Sequence, residues 1–204
     1  MGREDKFYEM CTKLPIEEQL DERGEDSIPE LVRVAELRDA GSTQEAIDYA
    51  KALAKMYPDN DLVPFMTAYI YYQKEFPVEA RSVAIEAIPK CLRKYRLYSV
   101  VGLAEFDLDH LPEALAWWSR SVIAQCTVVD YQEYDPFMYI GQVAEILGAK
   151  RQAQLFYSMT DAIEPSMPRA DDHSTQKLAG IKKSWAREPF ERVLKFIDSN
   201  YLQG

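Results

Sequence analysis

The sequence predicts an all-α fold, and three observations support this prediction. Apolar residues recur at three- and four-residue steps, as in Leu115, Trp118 and Val122, which is the spacing of one helix face. Sustained alternation of apolar and polar residues is absent, and so are the Asn-Gly and Asp-Gly pairs that mark tight β-hairpins. Hydrophobic residues make up 47% of the 204 residues, which is enough to build a core.

The helices are predicted to form four antiparallel pairs, with recognisable signals at their ends. Gly41 and Gly148 suit the left-handed backbone that ends a helix. Ser42 followed by Glu45 reads as a capping box, and Pro77 suits a first helical turn, where its missing N–H costs nothing. The predicted pairs are 29–40 with 43–56, 63–74 with 78–92, 97–107 with 112–125, and 136–147 with 150–162.

Four alanines share one position in these pairs. Ala46, Ala80, Ala114 and Ala153 each open a second helix, and the steps between them are 34, 34 and 39 residues. Other small residues keep the same register. Ala68, Gly102 and Gly141 precede Ala80, Ala114 and Ala153, respectively, by twelve residues each. A repeated helical hairpin is the simplest source of such a register.

This pattern resembles the tetratricopeptide repeat, a 34-residue helix-turn-helix unit. The resemblance implies a right-handed solenoid of four units, with departures at Val34, Leu92 and Cys126, where the family prefers a small residue or a proline. The units are 27–60, 61–94, 95–128 and 134–167.

The two ends of the chain are expected to cover the repeats. Residues 1–26, with nine acidic and four basic residues, are predicted to form an acidic helical extension. Residues 174–202 carry two apolar stripes and are predicted to form capping helices, because a terminal repeat leaves one apolar face uncovered. The residues predicted to pack this cap are Trp185, Phe190, Leu194 and Ile197.

Charge and composition exclude several classes of function. The net charge of −10 argues against binding nucleic acid or an anionic membrane surface, since both need a field of Lys and Arg. The sequence contains no run of about 18 apolar residues, so no membrane-spanning helix is predicted. Cys11, Cys91 and Cys126 are odd in number and widely spaced, which favours a reducing, cytoplasmic compartment.

No residues form a recognisable catalytic or metal-binding motif. His110 and Glu113 are three apart, but they flank a turn, and a metal site needs further ligands. Cys126 lacks a neighbouring base of the kind that activates a thiol nucleophile. We therefore predict no enzyme activity, no cofactor and no metal.

The resemblance implies that the first helix of each unit lines a concave groove. In the middle units the inward positions are aromatic and apolar, with arginines beside them, and aromatic residues and arginine are enriched at binding hot spots. The predicted partner site comprises Arg38, Phe65, Tyr69, Tyr72, Arg96, Leu103 and Phe106. In the fourth unit the inward positions are Asp135, Met138, Gln142 and Glu145.

The expected function is protein–protein interaction, as an adaptor, assembly factor or binding chaperone that holds a partner segment in this groove. A regulatory sensor for a small molecule or signalling peptide is the alternative, and an enzyme on a helical solenoid is a more distant one. Two other uses of the groove stay open. Its rings could pack between repeats, or the acidic N-terminal stretch, through Leu14, Ile16 and Leu20, could fold back into it. The partner and the oligomeric state stay undefined at this point.

Overall fold

The computed structural model describes residues 28–125, 133–163, 172–182 and 191. Every helix or strand assigned within these residues is an α-helix, so the predicted all-α class is confirmed for them. The helices are α1 (Glu30–Asp39), α2 (Thr43–Met56), α3 (Leu62–Gln73), α4 (Pro77–Ala87), α5 (Tyr95–Asp107), α6 (Leu111–Gln125), α7 (Tyr134–Ile146), α8 (Lys150–Ile163) and α9 (Asp172–Leu178).

The described helices fall into two compact units, with the division between Asp109 and His110. In the first unit each helix from α1 to α4 packs against the next one along the chain, and α3 also contacts α1 and α5. In the second unit α7 contacts α6, α8 and α9. Both units are therefore built by packing neighbouring helices.

The helix bounds agree with the predicted ones to within two residues, with one larger difference. The second helix of the second pair, predicted to run to Leu92, ends at Ala87. Pro89 explains the difference, because it has no N–H to donate to the carbonyl four residues earlier and its ring crowds the preceding turn, although Ile88 itself keeps helical backbone angles. The freed residues form a connection that leads into α5 at Tyr95.

The four alanines of the repeated register are packed, as predicted. Ala46, Ala80 and Ala114 are fully buried, and Ala153 is 3% exposed. The register position of Gly141 is equally tight, since an added Cβ would lie 2.9 Å from Cε1 of Tyr157. Small side chains at these sites let paired helices approach each other closely.

The turns between paired helices share one backbone conformation. Gly41 and Gly148, predicted to end helices, have φ of 79° and 81°. Glu75 and Asp109 take the same left-handed conformation, with φ of 62° and 63°, although neither is glycine. The four positions follow one another at 34, 34 and 39 residues, which is the register of the alanines.

The hydrogen bonds of these turns repeat as well. The N–H of each left-handed residue donates to the carbonyl three residues earlier, at 2.9 to 3.1 Å. In three turns the following N–H donates to the carbonyl five residues earlier, which completes a Schellman motif. These second bonds join Ser42 to Leu37, Phe76 to Tyr71, and Ala149 to Ala144.

The predicted capping box at Ser42 and Glu45 is wrong. The Ser42 side chain makes no hydrogen bond to the start of α2. The N–H of Ser42 donates to the carbonyl of Leu37, so Ser42 belongs to the turn that ends α1 and also directly precedes α2. A side-chain cap that the sequence analysis did not name is found at α3, where Oδ1 of Asn60 accepts hydrogen bonds from the N–H groups of Leu62 and Val63.

Each unit has its own core. In the first unit α1, α2 and α3 contribute one apolar cluster, with Val34, Leu53 and Ile70 completely buried. In the second unit the largest fully buried side chains include Trp118 and Phe137. This packing places the face of α3 that is opposite Ile70 outside the apolar cluster.

The predicted C-terminal cap is described only in its first part. Leu178 is fully buried and Ile181 is 7% exposed, and α9 packs against α7. The other predicted cap residues, Trp185, Phe190, Leu194 and Ile197, lie outside the described residues. So do Leu14, Ile16 and Leu20 of the N-terminal stretch.

Candidate functional site

Three aromatic side chains form a row along α3. Phe65, Tyr69 and Tyr72 are spaced by four and three residues, so they share one face of the helix. The ring centroids of Phe65 and Tyr69 are 5.6 Å apart with an interplanar angle of 20°, and those of Tyr69 and Tyr72 are 6.4 Å and 29° apart. We call these three residues the ring ladder. All three rings are half-buried, so part of each stays accessible.

Arg96 of α5 lies against one end of the ring ladder. Its guanidinium carbon is 5.7 Å from the centroid of Phe65 and 5.3 Å from that of Tyr95. Such cation–π contacts contribute about 0.5–2 kcal/mol each, more when water is excluded. Arg96 is only 8% exposed, so the ring ladder ends in a positive charge held between two aromatic rings.

A buried carboxylate positions the start of α5 against α3. Asp61, one residue before α3, is 5% exposed. Its two oxygens accept hydrogen bonds from the N–H groups of Leu92 at 3.2 Å and Arg93 at 2.6 Å. Because the connection before α5 is tied to the start of α3, Arg96 is brought to the level of Phe65.

A second polar contact joins α5 to α4. Nε of Arg81 donates to Oε1 of Glu105 at 2.6 Å, and the Glu105 side chain is 2% exposed. Removing the arginine would leave a buried carboxylate without this partner, which is costly. The contact therefore holds α5 on α4 while Arg96 faces α3.

Cys91 lies beside Asp61 and is buried. Burial, reinforced by the negative charge of Asp61 and a hydrogen bond to it, raises the pKa of the Cys91 thiol to about 12. A thiol of this kind is protonated at neutral pH and reacts slowly. Cys91 is therefore a packing residue of the hairpin connection.

The structure brings four of the seven predicted site residues together. These are the ring ladder and Arg96. Leu103 and Phe106, also on α5, are 3% and 4% exposed, so a partner could touch them only after their cover is removed. Arg38 donates from Nε to Asp39 at 2.8 Å, and this hydrogen bond lowers the pKa of the Asp39 carboxyl.

Tyr95 is not among the predicted site residues, but its ring lies under the Arg96 guanidinium and is 1% exposed. The predicted helix begins at Leu97 and therefore does not include Tyr95. The sequence signal for this contact is the neighbouring pair Tyr95-Arg96, which lies in the first turn of α5.

The positions predicted to face inward in the fourth repeat lie on α7 or at its first turn. Met138 and Gln142 are buried, and Oε1 of Gln142 accepts no hydrogen bond from the described residues. Burial raises the pKa of the Asp135 carboxyl to about 6. Glu145 instead accepts a hydrogen bond from the Tyr157 hydroxyl at 2.8 Å. This stripe is polar and lacks the row of rings found on α3.

Three further findings concern the kind of protein. Within the described ranges, no three His, Cys, Asp or Glu side chains are grouped as a metal site would need. No described helix is long and apolar enough to cross a membrane. No model of a protein family, no curated protein and no solved structure matches this chain.

Proposed function

We propose that this chain is a protein-interaction module of repeated helical hairpins, similar to tetratricopeptide repeats, and that it holds a partner segment on the ring ladder. The left-handed turn residues at 41, 75, 109 and 148 support the repeat, because they keep the register of the buried alanines. A reducing compartment is part of this proposal, supported by the odd number and wide spacing of the cysteines.

The observation that carries the proposal is the ring ladder with Arg96 at its end. A half-buried row of rings offers a large apolar contact area at little entropic cost, because each ring has only two χ angles. Arg96 adds a group that can bind a carboxylate or carbonyl oxygen. Aromatic and arginine side chains together are the composition typical of binding hot spots.

The test compares captured proteins between the wild-type chain and the double variant Tyr69→Ala with Arg96→Ala. Affinity capture followed by mass spectrometry is expected to show loss of the specific partner, with affinity weakened about tenfold or more, because both changes fall in the proposed hot spot. Far-UV circular dichroism checks that helical content is unchanged.

The matched control is the double variant Phe76→Ala with Arg33→Ala. It removes the same number of rings and guanidinium groups from exposed positions, since Phe76 is 49% exposed and the Arg33 side chain 57%. The control is expected to capture the partner as the wild type does. If the ring-ladder variant captures the same proteins in the same yield, the ring ladder is not the binding site.

A further inference from the structure

We infer that one face of α7 is a second binding site, which accepts an extended partner segment with two basic residues three positions apart. This face carries Asp135, Met138 and Gln142, with Glu145 at its end, which are the positions predicted to face inward in the fourth repeat. It belongs to the second unit, whereas the ring ladder belongs to the first. The inference therefore goes beyond the proposed function and does not depend on it.

Neighbouring helices bound this face of α7 on both sides. At one edge Tyr139 stacks on Trp118 of α6, with ring centroids 4.3 Å apart and an interplanar angle of 9°. At the other edge the Tyr157 ring of α8 lies against Gly141, since an added Cβ there would be 2.9 Å from Cε1 of the tyrosine. At about 3.6 residues per turn, the face lies between these two edges.

The first observation that points to a ligand is a buried hydrogen-bond acceptor. Gln142 is 8% exposed, and its Oε1 accepts no hydrogen bond from the described residues. An unpaired buried amide oxygen lowers stability, because it gives up its hydrogen bonds to water on folding. A leucine of similar size would avoid this cost. The polar oxygen therefore indicates a donor that is supplied by a bound partner.

The second observation is a carboxylate without a counter-charge. Asp135 is half-buried. Burial raises the pKa of its carboxyl to about 6, and no hydrogen bond or positive charge from the described residues offsets this effect. Glu145 adds a second negative charge at the exposed end of the same face. Positively charged hydrogen-bond donors complement both carboxylates and the Gln142 oxygen.

The spacing of these groups defines the shape of the occupant. Asp135 and Gln142 are seven residues apart, which is about 10 Å along a helix. A single metal ion, with ligands at about 2–2.6 Å, cannot join them. A polyproline II segment repeats every three residues and advances about 3.1 Å per residue, so its positions i and i+3 lie on one side about 9 Å apart. Basic side chains at those positions match Asp135 and Gln142, and their apolar stems match Met138.

The experiment titrates the isotope-enriched full-length protein with a capped Lys-Pro-Pro-Lys peptide, whose prolines favour the required conformation. Nuclear magnetic resonance measures the backbone amide signals. We expect saturable shifts at Met138, Gln142 and Glu145, while the signal of Ser82, exposed on α4, stays unchanged. One control peptide carries norleucine in place of both lysines, and the other is Lys-Lys-Pro-Pro. Both are expected to bind about tenfold more weakly, because each loses a charged hydrogen bond.

Two variants remove the groups that the peptide is expected to contact. Asp135→Asn and Gln142→Leu should each weaken peptide binding about tenfold. Each should also leave the thermal denaturation midpoint unchanged or raise it, because it removes a buried polar group that no described residue pairs. The matched control is Asp161→Asn, which removes a carboxylate from an exposed position of α8 and is expected to bind the peptide as the wild type does.

A third variant tests the charge at the exposed end of the face. Glu145→Gln keeps an oxygen that can accept the hydrogen bond from the Tyr157 hydroxyl, so the fold is retained. It is expected to weaken peptide binding about two- to fivefold, as for an exposed ion pair. This variant keeps the charge argument testable if the Asp135 or Gln142 variant does not fold.

Five results would overturn the inference. The first is the absence of saturable shifts, which would leave the Gln142 oxygen to water alone. The second is equal binding of either control peptide. The third is an equal effect of the Asp135 and Asp161 variants, which would reduce binding to general attraction by the net charge of −10. The fourth is a lower thermal midpoint for both the Asp135 and Gln142 variants, which would assign them a structural role. The fifth is the same shifts at raised protein concentration without peptide, which would assign the face to a second copy.

Discussion

Glu75 and Asp109 stand where Gly41 and Gly148 stand in the other two turns. All four have positive φ between 62° and 81°, but only glycine adopts this conformation without a steric cost from its side chain. For an L-residue with a Cβ the left-handed conformation costs about 1–2 kcal/mol. The hairpin geometry therefore overrides a local preference at two positions, and the sequence marks only the other two with glycine.

Replacing Glu75 with Gly is expected to raise the free energy of unfolding by about 0.5–1 kcal/mol. The gain is the relieved backbone strain less the extra entropy that glycine brings to the unfolded chain. Glu79→Gly, within α4, is the control and is expected to lower the free energy of unfolding by about 1 kcal/mol. Urea denaturation of both variants measures the difference. A lower stability of the Glu75 variant would show that this turn carries no strain.

The elements differ in how directly their ends follow from the sequence. α2 runs from Thr43 to Met56 as predicted, because clear turn residues bound it. α4 ends five residues earlier than predicted because Pro89 cannot donate the backbone hydrogen bond that would continue the helix. α3 is apolar on every side, so periodicity alone could not tell which face meets the core and which carries the ring ladder.

Replacing Ala46 with Leu tests the close approach of α1 and α2. Ala46 is completely buried, so the larger side chain is expected to overpack the hairpin and lower the free energy of unfolding by about 1–3 kcal/mol. We expect the same cost at Ala114, the equivalent position on α6.

The control for this prediction lies on the same helix. Ala52 is exposed, and Ala52→Leu is expected to change the free energy of unfolding by no more than about 0.5 kcal/mol. Thermal and urea denaturation compare the three variants. Equal stability of the Ala46 and Ala52 variants would contradict the repeated alanine register.

At the scale of the whole molecule, a chain of stacked hairpins must cover the apolar face that its last hairpin exposes. The C-terminal segment is predicted to meet this need in the second unit. Leu178 and Ile181 are buried, and α9 packs on α7. Burying an aliphatic side chain of this size contributes about 1.5–3 kcal/mol.

Truncation after Asp172 is therefore expected to yield a protein that aggregates or unfolds at lower temperature. Size-exclusion chromatography and thermal denaturation measure both effects. Truncation after Lys182 keeps Leu178 and Ile181 and is expected to be the more stable of the two shortened chains. If the chain that ends at Asp172 stays monomeric and as stable as the full-length protein, the C-terminal segment is not a cap.

The sequence by itself determined the helical class, most helix ends and the positions of the packed alanines. These follow from periodicity, turn residues and side-chain size, which act over a few residues and can be read along the chain. Only the tertiary structure decided that the Arg96 guanidinium lies over the Phe65 ring, that Asp61 ties the start of α5 to α3, and that Leu103 and Phe106 are covered. Those relations depend on side chains brought together from distant parts of the chain, and no local spacing specifies them. The ring ladder lies between these cases, because its spacing put three rings on one face while packing left that face outside the core.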